Sequence, residues 1–236
     1  MRWLPWSGVA LLAALTWSPA AAQELDHDFQ LWLLVSAETQ LDAGPVTLVP
    51  YVEFQPRFAD AVRELREVQG RAALFVKPVD DLRLGGGVLY GTTFRDRRSR
   101  REWRPYQEAL WQPEVLDGDL RLTPRVRLEQ RFIERTEAVS HRLRLRPGVE
   151  VPLFEVRGVG VELELSYEVF VNLNDVPDGP RQGFDQQRAY VGLIFRLTEV
   201  VDVEIGYQAQ HVNQRGEADE LNHEVWLSLQ LGFGGD

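Results

Sequence analysis

Strict alternation of charged and apolar residues is the feature that most constrains what this chain can fold into. The stretch RLTPRVRLEQRF, residues 121–132, has arginine, threonine or glutamate at its odd positions and mostly leucine, valine or phenylalanine at its even positions. Successive side chains of a strand point to opposite faces, whereas a helix would distribute these arginines around its circumference. The stretch therefore predicts a β-strand with one charged face and one apolar face.

About eleven segments follow the same pattern. Most are longer than the roughly 5–6 residues of an ordinary soluble strand. They reach the roughly 9–11 residues that a tilted strand needs to cross the hydrocarbon of a bilayer. The segments are 28–39, 45–58, 64–77, 80–93, 102–116, 119–133, 139–153, 157–173, 183–197, 200–213 and 221–233.

The connections between these segments alternate in length. Short ones such as LDAG, KPVDD and FEVRG are interleaved with longer polar ones such as TFRDRRSRRE, NDVPDGPRQGFDQ and NQRGEADELN. Short turns at one end and long loops at the other are typical of an outer-membrane barrel. The chain is therefore predicted to be all-β, a single antiparallel up-and-down transmembrane β-barrel. We expect about 10–12 strands, with twelve preferred because single-chain bacterial barrels have even strand numbers.

The first residues have the pattern of a secretory signal peptide. A basic start is followed by a short apolar run and by small residues before Gln23. This predicts a signal peptide at 1–22, a barrel domain at 23–236, and export to the bacterial outer membrane. A formal net charge of -10 argues against nucleic-acid binding. The absence of cysteine excludes thiolate metal sites.

The charged faces are predicted to line the lumen. Arginine on the lipid face would cost roughly 2–4 kcal/mol at the bilayer midplane. The arginines of 121–131 and 142–146 are followed by the glutamates of 162–168, which predicts arginine–glutamate pairs across neighbouring strands. Such charges either select a solute or form a paired network that fills the interior. The lumen-lining candidates are Arg104, Arg125, Arg127, Glu129, Arg131, Arg142, Arg144, Glu164, Glu168, Arg188 and Glu204.

Three further features carry local predictions. Aromatic residues near strand ends, Trp32 among them, suit interfacial girdles. The basic run 95–102 is predicted to be an extracellular loop that could contact lipopolysaccharide phosphates. Gly85, Gly86 and Gly87 indicate a strand kink or room for a bulky neighbour, because no lysine or helix follows to form a phosphate loop.

Several stretches resemble the bacterial family called domain of unknown function 2490. They are EWRPYQEALW (102–111), RVRLEQRF (125–132), RLRLRPG (142–148), YEVFVNL (167–173), QQRAYVGLIFRL (186–197) and EIGY (204–207). The resemblance implies a secreted outer-membrane-type antiparallel barrel and brings no mechanism or catalytic role. Its recurring residues correspond here to Glu102, Arg104, Arg127, Glu129, Arg131, Arg144, Glu168, Asn172, Arg188 and Tyr207.

The leading functional hypothesis is a non-enzymatic barrel without cofactors, either structural or a narrow small-solute channel. Its expected partners are outer-membrane lipids, lipopolysaccharide and, during biogenesis, the barrel-assembly machinery; no solute is indicated. One alternative is an outer-membrane lipid hydrolase that pairs a serine with a histidine. The candidates are Ser140, Ser166 and Ser228 with His141 or His223, but alternation places Ser228 and His223 on opposite faces. A second alternative is a soluble periplasmic β-sandwich binding protein.

Overall fold

A computed structural model describes residues 25–95, 98–214 and 218–234. Within those ranges the regular structure is strand, apart from one 3₁₀ turn at Leu116–Gly118. The described part of the chain contains no helix that is both long and apolar enough to span a membrane. The predicted signal peptide at 1–22 lies outside the described residues.

Fifteen strands are formed along the described chain, and they belong to one sheet. In chain order they are β1 (Asp26–Thr39), β2 (Leu41–Asp42), β3 (Thr47–Ala59), β4 (Glu64–Val79), β5 (Leu82–Arg95), β6 (Arg98–Trp111), β7 (Glu114–Val115), β8 (Leu120–Leu122), β9 (Arg125–Ile133), β10 (Ser140–Arg146), β11 (Gly148–Val156), β12 (Val159–Asn172), β13 (Gly183–Arg196), β14 (Val201–Val212) and β15 (Glu220–Phe233).

The short strands are pieces of longer wall strands. β10 and β11 pair with successive halves of β12, and only Pro147 separates them. β8 and β9 are interrupted by Thr123 and Pro124, and β2 continues β1. Proline has no backbone N–H to donate to the ladder, which explains why both interruptions contain one. The wall therefore consists of 11 strands.

A parallel seam closes the barrel. β1 pairs with β15 from Asp26↔Glu220 to Thr39↔Phe233, and both strands run in the same direction. All other neighbours are antiparallel. The predicted all-β barrel of 10–12 strands is confirmed, but the preference for twelve is wrong. An odd number of alternating strands leaves the first and last strands parallel, and the backbone groups at that seam still pair.

The two faces of the wall differ as the alternation predicts. On β9, Arg127 and Glu129 are 2% and 0% exposed, whereas Val126 and Phe132 on the other face are 48% and 49% exposed. A soluble sandwich would bury its apolar face and expose its charges. The sheet closes on itself with the opposite arrangement, so the sandwich alternative is wrong.

Connections at the two ends differ less than expected. One end, here the short-turn end, carries the two-residue turns at 80–81 and 157–158; the other, the long-loop end, carries the connections 134–139 and 173–182. The predicted loop at 95–102 is wrong. β5 and β6 continue to pair as far as Arg95↔Arg98, so only residues 96–97 lie between them. Paired backbones can extend past the rim of a barrel, where both faces meet water and charges are tolerated.

The glycine run on β5 allows a close approach to β4. A Cβ atom added at Gly85 would lie 2.7 Å from the ring of Phe75, and one at Gly87 would lie 2.3 Å from the carbonyl oxygen of Ala72. These distances are too short for any side chain. The run therefore makes room for the Phe75 ring inside the barrel.

Candidate functional site

Glu129 lies at the centre of a buried ion network on the walls β9 and β10. Arg142 donates to its carboxylate from Nε at 2.9 Å and from Nη2 at 2.7 Å. Arg144 donates from Nη1 at 2.8 Å, and Arg127 Nη1 lies 3.9 Å away. Glu129 is 0% exposed, so three guanidinium groups take the place of water around one carboxylate.

Glu168 on β12 extends this network to neighbouring strands. It accepts from Arg144 Nη2 at 2.9 Å and from Arg125 Nη2 at 2.8 Å, and Arg188 Nη1 lies 3.9 Å away. Arg125 also lies 3.8 Å from Glu108, which forms a close ion pair with Arg127. The charges therefore form one continuous array rather than isolated pairs.

The structure places seven of the eleven sequence candidates in this array and four outside it. The seven are Arg125, Arg127, Glu129, Arg142, Arg144, Glu168 and Arg188. Arg104 and Arg131 both bind Glu102, at 2.8 and 2.7 Å. Glu164 pairs with Arg146, which lies at the end of β10. Glu204 has no arginine partner among the described residues.

Aromatic rings inside the barrel support the arginines, and the sequence interpretation missed them. Phe170 is 1% exposed, and the guanidinium carbons of Arg142, Arg144 and Arg188 lie 5.1, 4.5 and 4.7 Å from its ring centroid. Such cation–π contacts stabilise a desolvated guanidinium. The signal was available, because Phe170 has the same parity as Glu168.

Trp32 is a second interior ring, so its assignment to an interfacial girdle is wrong. It is 2% exposed, with Arg57 at 3.7 Å and Arg188 at 5.0 Å from the ring centroid. Its parity on β1 is that of Gln30 and Ser36, which face the interior. The parity of Trp32 along β1 therefore predicts its face of the sheet better than its position near the strand end does.

A different wall, formed by β14, β15 and β1, contains no arginine or lysine. Its interior side chains are mainly amides, hydroxyls and carboxylates. Glu204 accepts hydrogen bonds from Tyr190, Ser228 and Gln230, the last two at 3.1 and 2.9 Å. Glu224 is 0% exposed and accepts from Gln208. The sequence interpretation omitted Glu224, although its parity matches that of Ser228.

Two chambers occupy the interior, and they meet at a waist. The short-turn chamber has a volume of about 620 Å³ and the long-loop chamber about 1110 Å³. We define the waist as the six side chains that line both chambers, which are Trp32, Arg57, Gln69, Arg104, Arg142 and Arg188. The two chambers therefore meet where four arginines, a glutamine and a tryptophan converge.

The proposed hydrolase residues do not come together. Ser228 is buried and donates to Glu204 at 3.1 Å, whereas His223 on the outer face contacts His27 and Tyr207. Ser140 is buried while the adjacent His141 is exposed. Among the described residues, no hydrogen bond joins a serine to a histidine. The nucleophile–base geometry of a serine hydrolase is not formed there.

Comparison with known proteins identifies the family of this chain. The model of a protein family of unknown function, DUF2490, matches residues 29–222. The chain belongs to the DUF2490 family. An uncharacterised protein of Methylorubrum extorquens is 32% identical over 226 residues, which is 95% of this chain and 96% of that protein. The predicted family membership is thereby confirmed, and membership in DUF2490 adds no activity.

Two solved structures resemble this chain at low sequence identity. The porin NanC is 12% identical, with a TM-score of 0.46, and the match covers 80% of this DUF2490 chain and 89% of NanC. The siderophore receptor PirA from Pseudomonas aeruginosa is 13% identical, with a TM-score of 0.29, covering 73% of this chain and 32% of PirA.

Proposed function

We propose that this protein is a non-enzymatic outer-membrane barrel with a structural role, whose lumen is closed at the waist by the arginine–glutamate network. The outer face supports membrane residence. Large apolar side chains are exposed on many strands, from Phe54 on β3 to Leu229 on β15. Soluble monomers rarely expose contiguous apolar patches beyond a few hundred Å². A bilayer accommodates such a surface, and barrel closure satisfies the backbone groups.

The observation that carries the closed lumen is the burial of charge at mid-height. Glu129 and Arg127 are 0% and 2% exposed although both point into the barrel. A water-filled pore would leave such side chains solvated. Here Glu129 binds Arg142 and Arg144. Arg127 binds Glu108 and lies over the ring of Tyr106, so these charges fill the interior at this height as a core would.

The orientation and surroundings follow from the same proposal. The short-turn end faces the periplasm and the long-loop end faces outward, as in other outer-membrane barrels. Outer-membrane lipids surround the apolar face, and lipopolysaccharide surrounds the outer rim. Insertion depends on the barrel-assembly machinery after export with the predicted signal peptide.

Membrane fractionation followed by planar-bilayer recording tests the proposal. We expect the wild-type protein in the outer membrane and no stable conductance steps after refolding. Trp32→Ala removes the largest side chain of the waist and is expected to open measurable steps. Trp103→Ala is the matched control, because Trp103 is 55% exposed on the outer face. Recovery of the wild type from the soluble periplasm would overturn membrane residence.

A narrow small-solute channel is the second candidate. The two chambers meet at side chains, four of which are arginines. Side chains can change rotamer more easily than the backbone can move, which favours a channel that opens at the waist. Stable wild-type steps that Trp32→Ala enlarges would establish this candidate in place of the closed barrel.

A further inference from the structure

The short-turn chamber presents an excess of positive charge. Twelve cationic side chains line it against seven carboxylates. Three of these arginines form ion pairs with carboxylates that do not line this chamber. The pairs are Arg57 with Glu67, Arg104 with Glu102, and Arg142 with Glu129. Lys77 also lines it and forms no ion pair among the described residues. A solute in the chamber therefore meets more cations than anions.

Three arginines of this lining have a free donor. Arg71, Arg83 and Arg125 use terminal nitrogens on Glu53, Glu38 and Glu168, at 3.0, 2.9 and 2.8 Å. In each, the buried Nε has no hydrogen-bond partner within the described part of the chain, although Arg125 Nε lies 3.8 Å from Glu108 Oε2. Burying an N–H without a partner is unfavourable, so an acceptor that reaches it is stabilised.

Neutral side chains add further free donors to the same chamber. Gln55 is 2% exposed; its Oε1 accepts from Arg57 at 2.7 Å, while its Nε2 has no partner in the described structure. Trp226 Nε1 on β15 and Thr123 Oγ1, a side chain 4% exposed, are likewise unpartnered in the described structure. Among the described residues that line this chamber, every unpartnered side-chain nitrogen is a donor, whereas among the residues of the long-loop chamber only Arg66 Nε is of this kind.

We propose that the short-turn chamber is a binding site for a small soluble oxyanion that bears carboxylate or phosphate oxygens. Oxygen acceptors satisfy guanidinium, amide and indole donors together, and their negative charge matches the excess of cations. A volume of about 620 Å³ accommodates a small organic acid. The site requires the barrel interior only, so binding in detergent is independent of conductance and of membrane residence.

Titration calorimetry of the full chain in non-ionic detergent tests this inference. Citrate and inorganic phosphate are the anionic probes; choline and glycerol are the cationic and neutral ones. We expect saturable binding of at least one anion, with a change in tryptophan fluorescence because Trp226 lines the chamber. The citrate and phosphate arms separate carboxylate from phosphate recognition. No saturable binding of either anion, or equal binding of choline, would overturn the proposal.

Gln55→Glu is the most direct variant. It retains the acceptor that Arg57 uses and replaces the free donor by a negatively charged acceptor of the same shape. We expect anion affinity to fall by about tenfold or more. Gln186→Glu is the matched control, because Gln186 is also buried but lines only the long-loop chamber. Equal losses in the two variants, or none in Gln55→Glu, would contradict the site.

Lys77→Gln provides a second test if Gln55→Glu impairs folding. It removes a cation that has no ion-pair partner among the described residues, so no carboxylate is left unpaired. We expect about two- to fivefold weaker anion binding, with a steeper loss at low salt. Unchanged affinity at low ionic strength would count against the proposal.

Discussion

Glu129 and Glu224 are the same residue type, both 0% exposed, and they lie on different walls of one barrel. Glu129 is held by arginines, with Arg142 and Arg144 at 2.7 and 2.8 Å. Glu224 is held by the amide of Gln208, on a wall whose strands contain no arginine or lysine. Burial alone therefore does not set the role of a charge. Its partners decide whether its removal leaves other charges uncompensated.

The largest expected effect is that of Glu129→Gln. The substitution conserves shape but leaves Arg142 and Arg144 with less compensating charge in a buried site. Removing one partner of a buried ion pair typically costs about 3–5 kcal/mol. We expect a loss of that size in the free energy of unfolding, measured by reversible denaturation in phospholipid vesicles. A change below about 1 kcal/mol would show that the arginine network is well solvated.

An arginine on the outer face should cost nearly as much, and equally on both walls. Leu128 on β9 and Leu227 on β15 are 36% and 37% exposed. Leu128→Arg and Leu227→Arg are each expected to destabilise the inserted barrel by about 2–4 kcal/mol, because both lie on the face proposed to contact lipid. The same vesicle assay measures both variants. A cost near zero would contradict membrane residence. Unequal costs would show that the two walls differ on their outer faces as well as inside the barrel.

Phe170→Leu should have an intermediate effect on the arginine wall. Leucine retains apolar volume but removes the ring that faces Arg142, Arg144 and Arg188. Desolvated cation–π contacts are worth about 2 kcal/mol, so we expect a loss of about that size in unfolding free energy. Tyr167→Leu on the outer face of the same strand is the control, and an equal loss there would assign the effect to general packing.

Glu224→Gln should have the smallest effect. The glutamine keeps the shape and one acceptor for Gln208, and no ion pair among the described residues is broken. We expect the unfolding free energy to change by less than about 1 kcal/mol. If this variant is as unstable as Glu129→Gln, the two walls do not differ in the way their contacts indicate.

Much of the architecture could be predicted because the period of two is a local property. The parity of Arg127 and Glu129 on β9, or of Glu164 and Glu168 on β12, indicates the interior face without knowledge of neighbours. Phe170 and Glu224 could have been found in the same way.

Strand number and partner choice could not be obtained in this way. The preference for twelve strands came from a rule about closed antiparallel sheets, which the parallel pairing of β1 and β15 does not obey. β5 and β6 continue to pair as far as Arg95 and Arg98. The charged residues there are equally common in loops, so the sequence did not indicate this pairing.

By itself, the sequence determined that this chain forms long two-faced strands with charge on one face and apolar side chains on the other. Side-chain alternation depends only on the local backbone. The tertiary structure decided which charges meet, because contacts such as that of Arg125 with Glu168 join strands that are distant along the chain. Closure also decided that Glu224 would form no ion pair within 4 Å among the described residues and that Trp32 would lie at the waist. Both outcomes depend on register and curvature, which no short stretch of residues encodes.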